Sequence, residues 1–358
     1  MDTNIFLVES PFQLMCSIEA NEYFNKYKSI LVIKNVANER SNQLMEWIIS
    51  NYYNKWDKVI VCNLQNNTLR DYFFMNLIRK IKNRYSVNYI FVGYPETRNF
   101  QWFCEQIDNK GCFVLDDGTK TIYLQNQFMY HKDYLQKSDI YIMQNNSMYE
   151  KIKKLKNIVK LFSMKYLFNL NKSNPIKYNL FTCFNLKINN EQLIIKNDFS
   201  YIKSVFLDYK VIYDEVYFFG SPLSEVEIIS LDLEIEFLKK VFNYYKDKNL
   251  KFIYIPHRED SLNKINKIKQ FCNILYLDTI AEIALMTNKQ LPAFIASFIS
   301  TVLFTLPKIY NFKNVTSFKI PYKYVIRDDR KKSINYTYEA LKKENIQIID
   351  LYQEIIEE

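Results

Sequence analysis

The sequence predicts an α/β protein made of two Rossmann-like domains with a cleft between them. Three observations carry that prediction. Short apolar runs rich in β-branched and aromatic residues alternate with stretches of helical spacing, and the connections are short, which is the pattern of a parallel, doubly wound sheet. The alternation blurs between about Ser138 and Leu207 and then restarts. At 358 residues the chain also exceeds the usual size of one domain, so two of about 150–200 residues are the natural division. The boundary is drawn between 205 and 206, with an excursion from about 138 assigned to the first domain.

Asn4–Val8 reads as a short buried strand, broken by Glu9-Ser10-Pro11 and followed by helical spacing from Phe12 to Phe24. A Ser-Pro turn at the end of a first strand lies where open α/β sheets make ligand contacts. It is also a common helix start, with Pro at the first helical position. Gln13 fits either a surface residue or a substrate contact. Strands at Ile30–Lys34, Lys58–Cys62, Val87–Gly93 and Gly111–Leu115 then alternate with helices at Ser41–Tyr53, Thr68–Arg84 and Thr97–Asn109. Thr182–Val205 is expected to hold a hairpin or crossover elements.

In the second half, Glu215–Phe219 is a strand, Gly220-Ser221-Pro222 its turn, and Glu225–Lys246 a long amphipathic helix. Phe252–Ile255 is a strand that opens into Pro256-His257-Arg258-Glu259, followed by a helix to about Phe271. Ile274–Leu277, Ala293–Ala296, Lys308–Phe312 and Ile346–Asp350 read as further strands. Helices are expected at Thr279–Met286, from Val302 to Leu306, over Asn335–Glu344 and at the C-terminus.

Composition narrows the classes. With 48% hydrophobic residues the chain can fill sizeable cores, which argues against disorder. The 29 Tyr and 27 Phe, in a chain rich in Lys, Asn and Ile, point to codon bias more than to a stacking function. Only four glycines occur, at 93, 111, 118 and 220, so each marks a candidate for positive φ or close backbone approach. The six cysteines are scattered without metal-ligand spacing, as in the reduced core of a cytosolic protein. No leader pattern precedes the first strand, and no apolar run nears the ~20 residues of a membrane span. The net charge of +9 suits an acidic partner such as a nucleotide-activated donor or an anionic membrane. Lys151, Lys153, Lys154, Lys156 and Lys160 fit either phospholipid head groups or one solvated helix face.

Chemistry-bearing residues collect at strand ends. Asp116-Asp117-Gly118-Thr119 places two acids before a glycine turn, more than an Asp-Gly turn requires, and such a pair can supply a base. His257 is one of only two histidines, with His131, and imidazole suits proton chemistry near neutral pH. No GxGxxG or P-loop is present, so dinucleotide and ATPase readings lack a phosphate cradle. One acid pair, one histidine and the Ser297–Thr301 hydroxyl loop suit metal-independent group transfer. A carboxylate would deprotonate an acceptor hydroxyl while imidazole and hydroxyls offset a leaving phosphate.

In this order, these stretches resemble the bacterial sialyltransferases of the two-domain GT-B fold, and glycosyltransferase family 52 in particular, the lipooligosaccharide, O-antigen and capsule type. Leu115–Thr119 resembles the acidic-acidic-Gly motif. Pro256-His257 resembles the His-Pro-type motif, with Arg258 where Pro is expected. Ser297–Thr301 resembles the Ser-Ser/Thr motif, Phe219–Pro222 with Glu225 the Gly-Ser-Pro turn, and Ile280–Glu282 the segment giving an acid to the cytidine ribose.

The resemblance implies an inverting transfer from CMP-sialic acid, with no metal and no cofactor beyond the donor, to a terminal galactoside of a lipid-linked surface glycan. Residues 1–205 would form the acceptor-side domain and 206–358 the CMP-binding domain. Asp116 or Asp117 is then the base, and His257 meets the departing phosphate. Ser300 and Thr301 hold that phosphate, Glu282 the ribose and Gly220-Ser221 the nucleotide-side backbone, with Ser297 a further donor-binding residue. Ser10, Pro11, Gln13, Gly118 and Thr119 flank the acceptor. Where one branch of the family carries an Asp after Gly-Ser-Pro, this chain has Leu223, which shifts the base role to Asp116, with Glu225 a poorer second choice.

The implied setting is cytoplasmic, peripheral at the inner membrane face, with a homodimer compatible. Another cytidine-activated donor (a different nonulosonic acid, a Kdo-type sugar or glycerol phosphate) is the alternative. A nucleic-acid-binding role is disfavoured because the basic residues form no stripe and no recognition motif occurs.

Overall fold

The computed structural model describes residues 2–123, 166–168, 176–186, 192–205 and 209–352. His131, much of the excursion that starts at about 138, the basic run 151–160 and the expected C-terminal helix lie outside these. The chain divides into two compact units. The first is Met1–Asp117, Leu124–Thr182 and Leu186–Asn197; the second is Gly118–Tyr123, Cys183–Asn185 and Asp198–Glu358.

In the first unit β1 (Asp2–Val8), α1 (Pro11–Tyr23), β2 (Lys28–Lys34), α2 (Glu39–Tyr52), β3 (Lys58–Cys62), α3 (Asn67–Arg84), β4 (Ser86–Val92), α4 (Arg98–Gln106) and β5 (Gly111–Leu115) alternate. They are followed by β6 (Tyr178–Thr182) and β7 (Ile194–Lys196). The strands form one sheet in the order β3-β2-β1-β4-β5-β6-β7. The central strands are apolar without alternation because both faces of the sheet are covered. Phe6, Phe91 and Phe113 stand opposite one another in register across β1, β4 and β5. Their rings stack at 4.5 and 5.3 Å between centroids. Part of the aromatic excess is therefore core packing. β6 and β7 pair in parallel, the crossover rather than the hairpin of the two arrangements expected around Thr182–Val205.

The second unit holds α5 (Ser200–Val205), β8 (Lys210–Phe219), α6 (Leu231–Lys246), β9 (Lys251–Ile255), α7 (Leu262–Ile268) and β10 (Asn273–Ile274). It continues with α8 (Ala281–Asn288), β11 (Gln290–Ser297), α9 (Val302–Tyr310), β12 (Asn314–Phe318), α10 (Asp328–Lys343) and β13 (Gln347–Ile349). Its parallel sheet runs β10-β9-β8-β11-β12-β13.

Two expectations are corrected here. The long helix begins at Leu231, not Glu225. Glu227 sits at φ 57°, Ile228 N–H turns back to Leu223 O at 2.8 Å, and only Ser230 supplies the N-cap. Lys308–Phe312 is not a strand: α9 runs on to Tyr310, and Asn311 closes it in the left-handed conformation. A short apolar run reads equally as strand or helix until its neighbours are known.

Among the described residues no helix is long and apolar enough to cross a membrane.

Candidate active site

In each sheet the first strand is central, and the chain winds outward on both sides of it. β1 lies between β2 and β4, and β8 lies between β9 and β11. The reversal of strand order opens a crevice beyond the strand ends, the usual ligand position in open α/β sheets. At both reversals the first strand ends in a Ser-Pro turn, Ser10-Pro11 and Ser221-Pro222.

In the first unit Ser10 caps α1, its Oγ accepting from Gln13 N, with Pro11 at the helix start. The helix-start reading is therefore correct, and the two polar side chains also reach the acids. Gln13 Nε2 donates to Asp117 Oδ1 at 2.8 Å, and Ser10 Oγ donates to the same oxygen at 3.4 Å. Gln13 is buried, and its Oε1 accepts from Glu9 N at 2.8 Å. It is thus a bridge between strand ends rather than a surface contact.

Asp116 differs sharply from its neighbour. It is fully buried and accepts from Thr182 Oγ1 at 2.6 Å, whereas Asp117 is half-buried. A base must reach its proton, and of the two acids Asp117 is the more accessible. Leu223, where an acid would have been an alternative, is fully buried.

Gly118 and Thr119 belong to the second unit. Gly118 has φ +65°, and a Cβ there would lie 2.6 Å from Thr301 Oγ1. Thr119 N donates to that hydroxyl at 3.2 Å. Only glycine satisfies both the backbone angle and the close approach.

The turn after β8 packs as tightly. A Cβ on Gly220 would stand 2.3 Å from Tyr254 Oη and 2.9 Å from Asp260 Oδ2. Ser221 and Ser297 are buried and spent on structure. Their hydroxyls lie 3.3 Å apart, and Ser297 Oγ donates to Phe219 O at 2.7 Å. They bind the ends of β8 and β11 together. Ser300 and Thr301 are half-buried at the start of α9, where hydroxyls and helix N–H groups suit an anion.

Glu282, the residue expected at the ribose, is also tied into the protein. It is buried in the first turn of α8, accepts from Thr305 Oγ1 at 2.6 Å, and has its pKa raised by burial. Its carboxyl faces α9.

His257 opens the loop after β9. The turn closes through Asp260 N to His257 O at 3.0 Å, and His257 N donates to Asp260 Oδ2 at 2.9 Å. The ring Nδ1 accepts from Glu259 N at 3.2 Å, so the neutral imidazole carries its proton on Nε2. Burial pulls the His257 pKa down to about 3, with the charges of Arg258 and Lys264 acting the same way and Glu225 opposing. In the unliganded protein this histidine is a neutral Nε2–H donor near pH 7.

Sequence reading missed what holds the loop. Lys264, on α7, has no exposed side chain. Its Nζ lies 2.5 Å from Glu234, 2.8 Å from Asp260 and 3.4 Å from Glu225. It also donates to Ser221 O at 2.8 Å. One ammonium thus ties the Gly-Ser-Pro turn to the histidine loop. Burial lowers the Lys264 pKa, but Glu234 and Asp260 outweigh it and raise it. Burial pushes Glu234 and Asp260 up against the pull of the same lysine. The i, i+4 spacing of Asp260 and Lys264 was a visible signal.

The family model described as alpha-2,8-polysialyltransferase (POLYST) matches residues 4–319, a span that contains every strand-end residue described above. The chain belongs to this family. It is therefore a glycosyltransferase of sialyltransferase type, in agreement with the broad resemblance of its motifs. The alpha-2,8-polysialyltransferase match does not name glycosyltransferase family 52. No curated protein matches the chain. Solved structures similar to this polysialyltransferase-family chain include a family 9 glycosyl transferase from Veillonella parvula, with 10% identity, 99% of this chain and 89% of that one covered, and a TM-score of 0.41. MurG from Acinetobacter baumannii has 7% identity, 98% and 86% coverage, and a TM-score of 0.44. UDP-GlcNAc 2-epimerase from Neisseria meningitidis has 11% identity, 94% and 85% coverage, and a TM-score of 0.45.

Proposed function

We propose that the protein is an inverting, metal-independent sialyltransferase that uses CMP-sialic acid as donor. The observation that carries this reading is the division of labour among strand-end residues in a chain of the polysialyltransferase family. Asp117 is a reachable carboxylate oriented by Gln13 and Ser10, and His257 is a neutral imidazole with Nε2–H as donor. In the proposed step Asp117 takes the proton of an acceptor hydroxyl. The acceptor oxygen bonds to the anomeric carbon as the bond from that carbon to the phosphate oxygen breaks, and CMP leaves with the electron pair. His257 Nε2–H and the Ser300 and Thr301 hydroxyls hydrogen-bond the departing phosphate and offset its charge without a metal.

The acceptor in this reading is a terminal galactoside of a bacterial surface glycan of lipooligosaccharide, O-antigen or capsule type, as in glycosyltransferase family 52. The name of the matched family favours a second acceptor, the 8-hydroxyl of a terminal sialic acid. The net charge of +9 suits an anionic donor and a peripheral position beside a lipid-linked glycan at the inner membrane face.

The test is incubation with CMP-sialic acid and either a galactoside or an α-2,8-linked disialoside, following CMP release and product mass. CMP release with a product one sialyl unit heavier supports the reading, and the productive acceptor chooses between the two. Absence of transfer, of donor hydrolysis and of CMP binding overturns it.

A further inference from the structure

Arg258 follows His257 at the tip of the β9 loop, and its position is fixed from both sides. The turn hydrogen bonds at His257 and Asp260 hold the backbone, and Glu259 N is engaged on the imidazole. The side chain itself has little to bind. Its Nε is buried with no hydrogen-bond partner among the described residues, and the acid beside it, Glu259, reaches it only at 4.0 Å. A buried donor left unmatched is costly, so such a group is ordinarily completed by water or a ligand.

The other acids of this region are occupied elsewhere. Asp260 accepts from Tyr254, His257 N and Lys264. Glu225 accepts from Ser261 N at 2.9 Å and pairs with Lys264. Glu234 is turned onto the same lysine. The loop therefore presents a half-buried guanidinium, with donors in a planar fork, next to a neutral N–H donor. That combination suits a planar or tetrahedral oxyanion, which a fork can hold through two parallel hydrogen bonds.

We propose that Arg258 is a binding residue for an oxyanion of the activated donor, either the phosphate of the cytidine nucleotide or the carboxylate of the sugar it carries. This rests on the CMP-sialic acid reading and adds to it a charged contact where the resembled motif has proline, a residue that can supply none. Arg258 fixes the donor's charge, while His257 meets the leaving oxygen.

The experiment measures affinities of wild type, Arg258→Gln and Arg258→Lys for cytidine, CMP and CMP-sialic acid by calorimetry, with thermal melts confirming the fold. If Arg258 holds the phosphate, Arg258→Gln weakens CMP binding by about 10- to 100-fold, as expected for charge-assisted hydrogen bonds, and leaves cytidine unchanged. If it holds the sugar carboxylate, CMP is unchanged and CMP-sialic acid alone weakens by a similar factor. In either case Arg258→Lys recovers part of the loss. A folded Arg258→Gln protein that binds all three as wild type does, within about twofold, overturns the assignment and leaves the sialyltransferase reading intact. Wild type that binds neither CMP nor CMP-sialic acid overturns both.

Discussion

Replacing Lys264 by Met tests the interior of the second unit most directly. The substitution keeps the apolar stem and deletes an ammonium that lies within 3.4 Å of three carboxylates, on Glu234, Asp260 and Glu225. Breaking a buried ion pair from one side costs about 3–5 kcal/mol, because the remaining charge is left uncompensated. Set against a typical domain stability of about 5–15 kcal/mol, that is a large fraction. The loss depends on pH with a definite sign. Burial already raises the pKa values of Glu234 and Asp260 while Lys264 holds them down. Without the lysine they rise further, so the folded variant binds more protons than the unfolded chain and regains stability as pH falls. Urea unfolding of wild type and Lys264→Met at pH 8 and pH 5 should show a deficit of about 3–5 kcal/mol at pH 8 that shrinks at pH 5. Adding Glu234→Gln should restore about 1–3 kcal/mol at pH 8. A deficit below about 1 kcal/mol, or one equal at the two pH values, refutes the reasoning.

Asp117→Asn should lower turnover by about two to four orders of magnitude with CMP affinity unchanged. Asp116→Asn should mainly shift the melting temperature, since its partner is the buried Thr182 hydroxyl; equal turnover losses from the two would remove the distinction. Gly118→Ala should destabilise by about 1–3 kcal/mol in urea unfolding, because φ is +65° and Thr301 Oγ1 occupies the Cβ position. A neutral result there would mean that the turn readily relaxes. His257 has a folded pKa of about 3, below its unfolded value of about 6.5. Between those values the unfolded state binds a proton that the folded state refuses. Stability should therefore fall as pH drops below about 6.5, by about 2 kcal/mol at pH 5 from this residue alone. His257→Gln should lack that component, and parallel losses in both proteins would contradict it.

Much of the fold was legible because it rests on local rules. Uninterrupted apolar runs of strand length, with helical spacing between them, specify a parallel sheet covered on both faces, and most predicted strands lie within a few residues of the observed ones. The errors fell where a local pattern has two solutions. The start of the stretch Lys308–Phe312 completes a helix because α9 has already started at Val302, and Glu225–Ser230 looks helical until Glu227 turns left-handed. In the site, the types and order of residues were readable, and scarce glycines at 118 and 220 did mark close approaches.

Burial separated residues that look alike in the sequence. Asp116 and Asp117 are the same residue type in adjacent positions, yet successive side chains at a strand end point to opposite sides. One accepts from Thr182 inside, and the other stays reachable beside Gln13. The same distinction showed Ser221, Ser297 and Glu282 buried in internal hydrogen bonds and revealed Lys264, which resembles any other lysine in a basic chain. What the sequence by itself determined was which groups stand at which strand ends, since period and apolar run length are local properties. Only the tertiary structure decided which of those groups are solvated and which are paired, because burial and pairing depend on contacts between residues far apart in the chain.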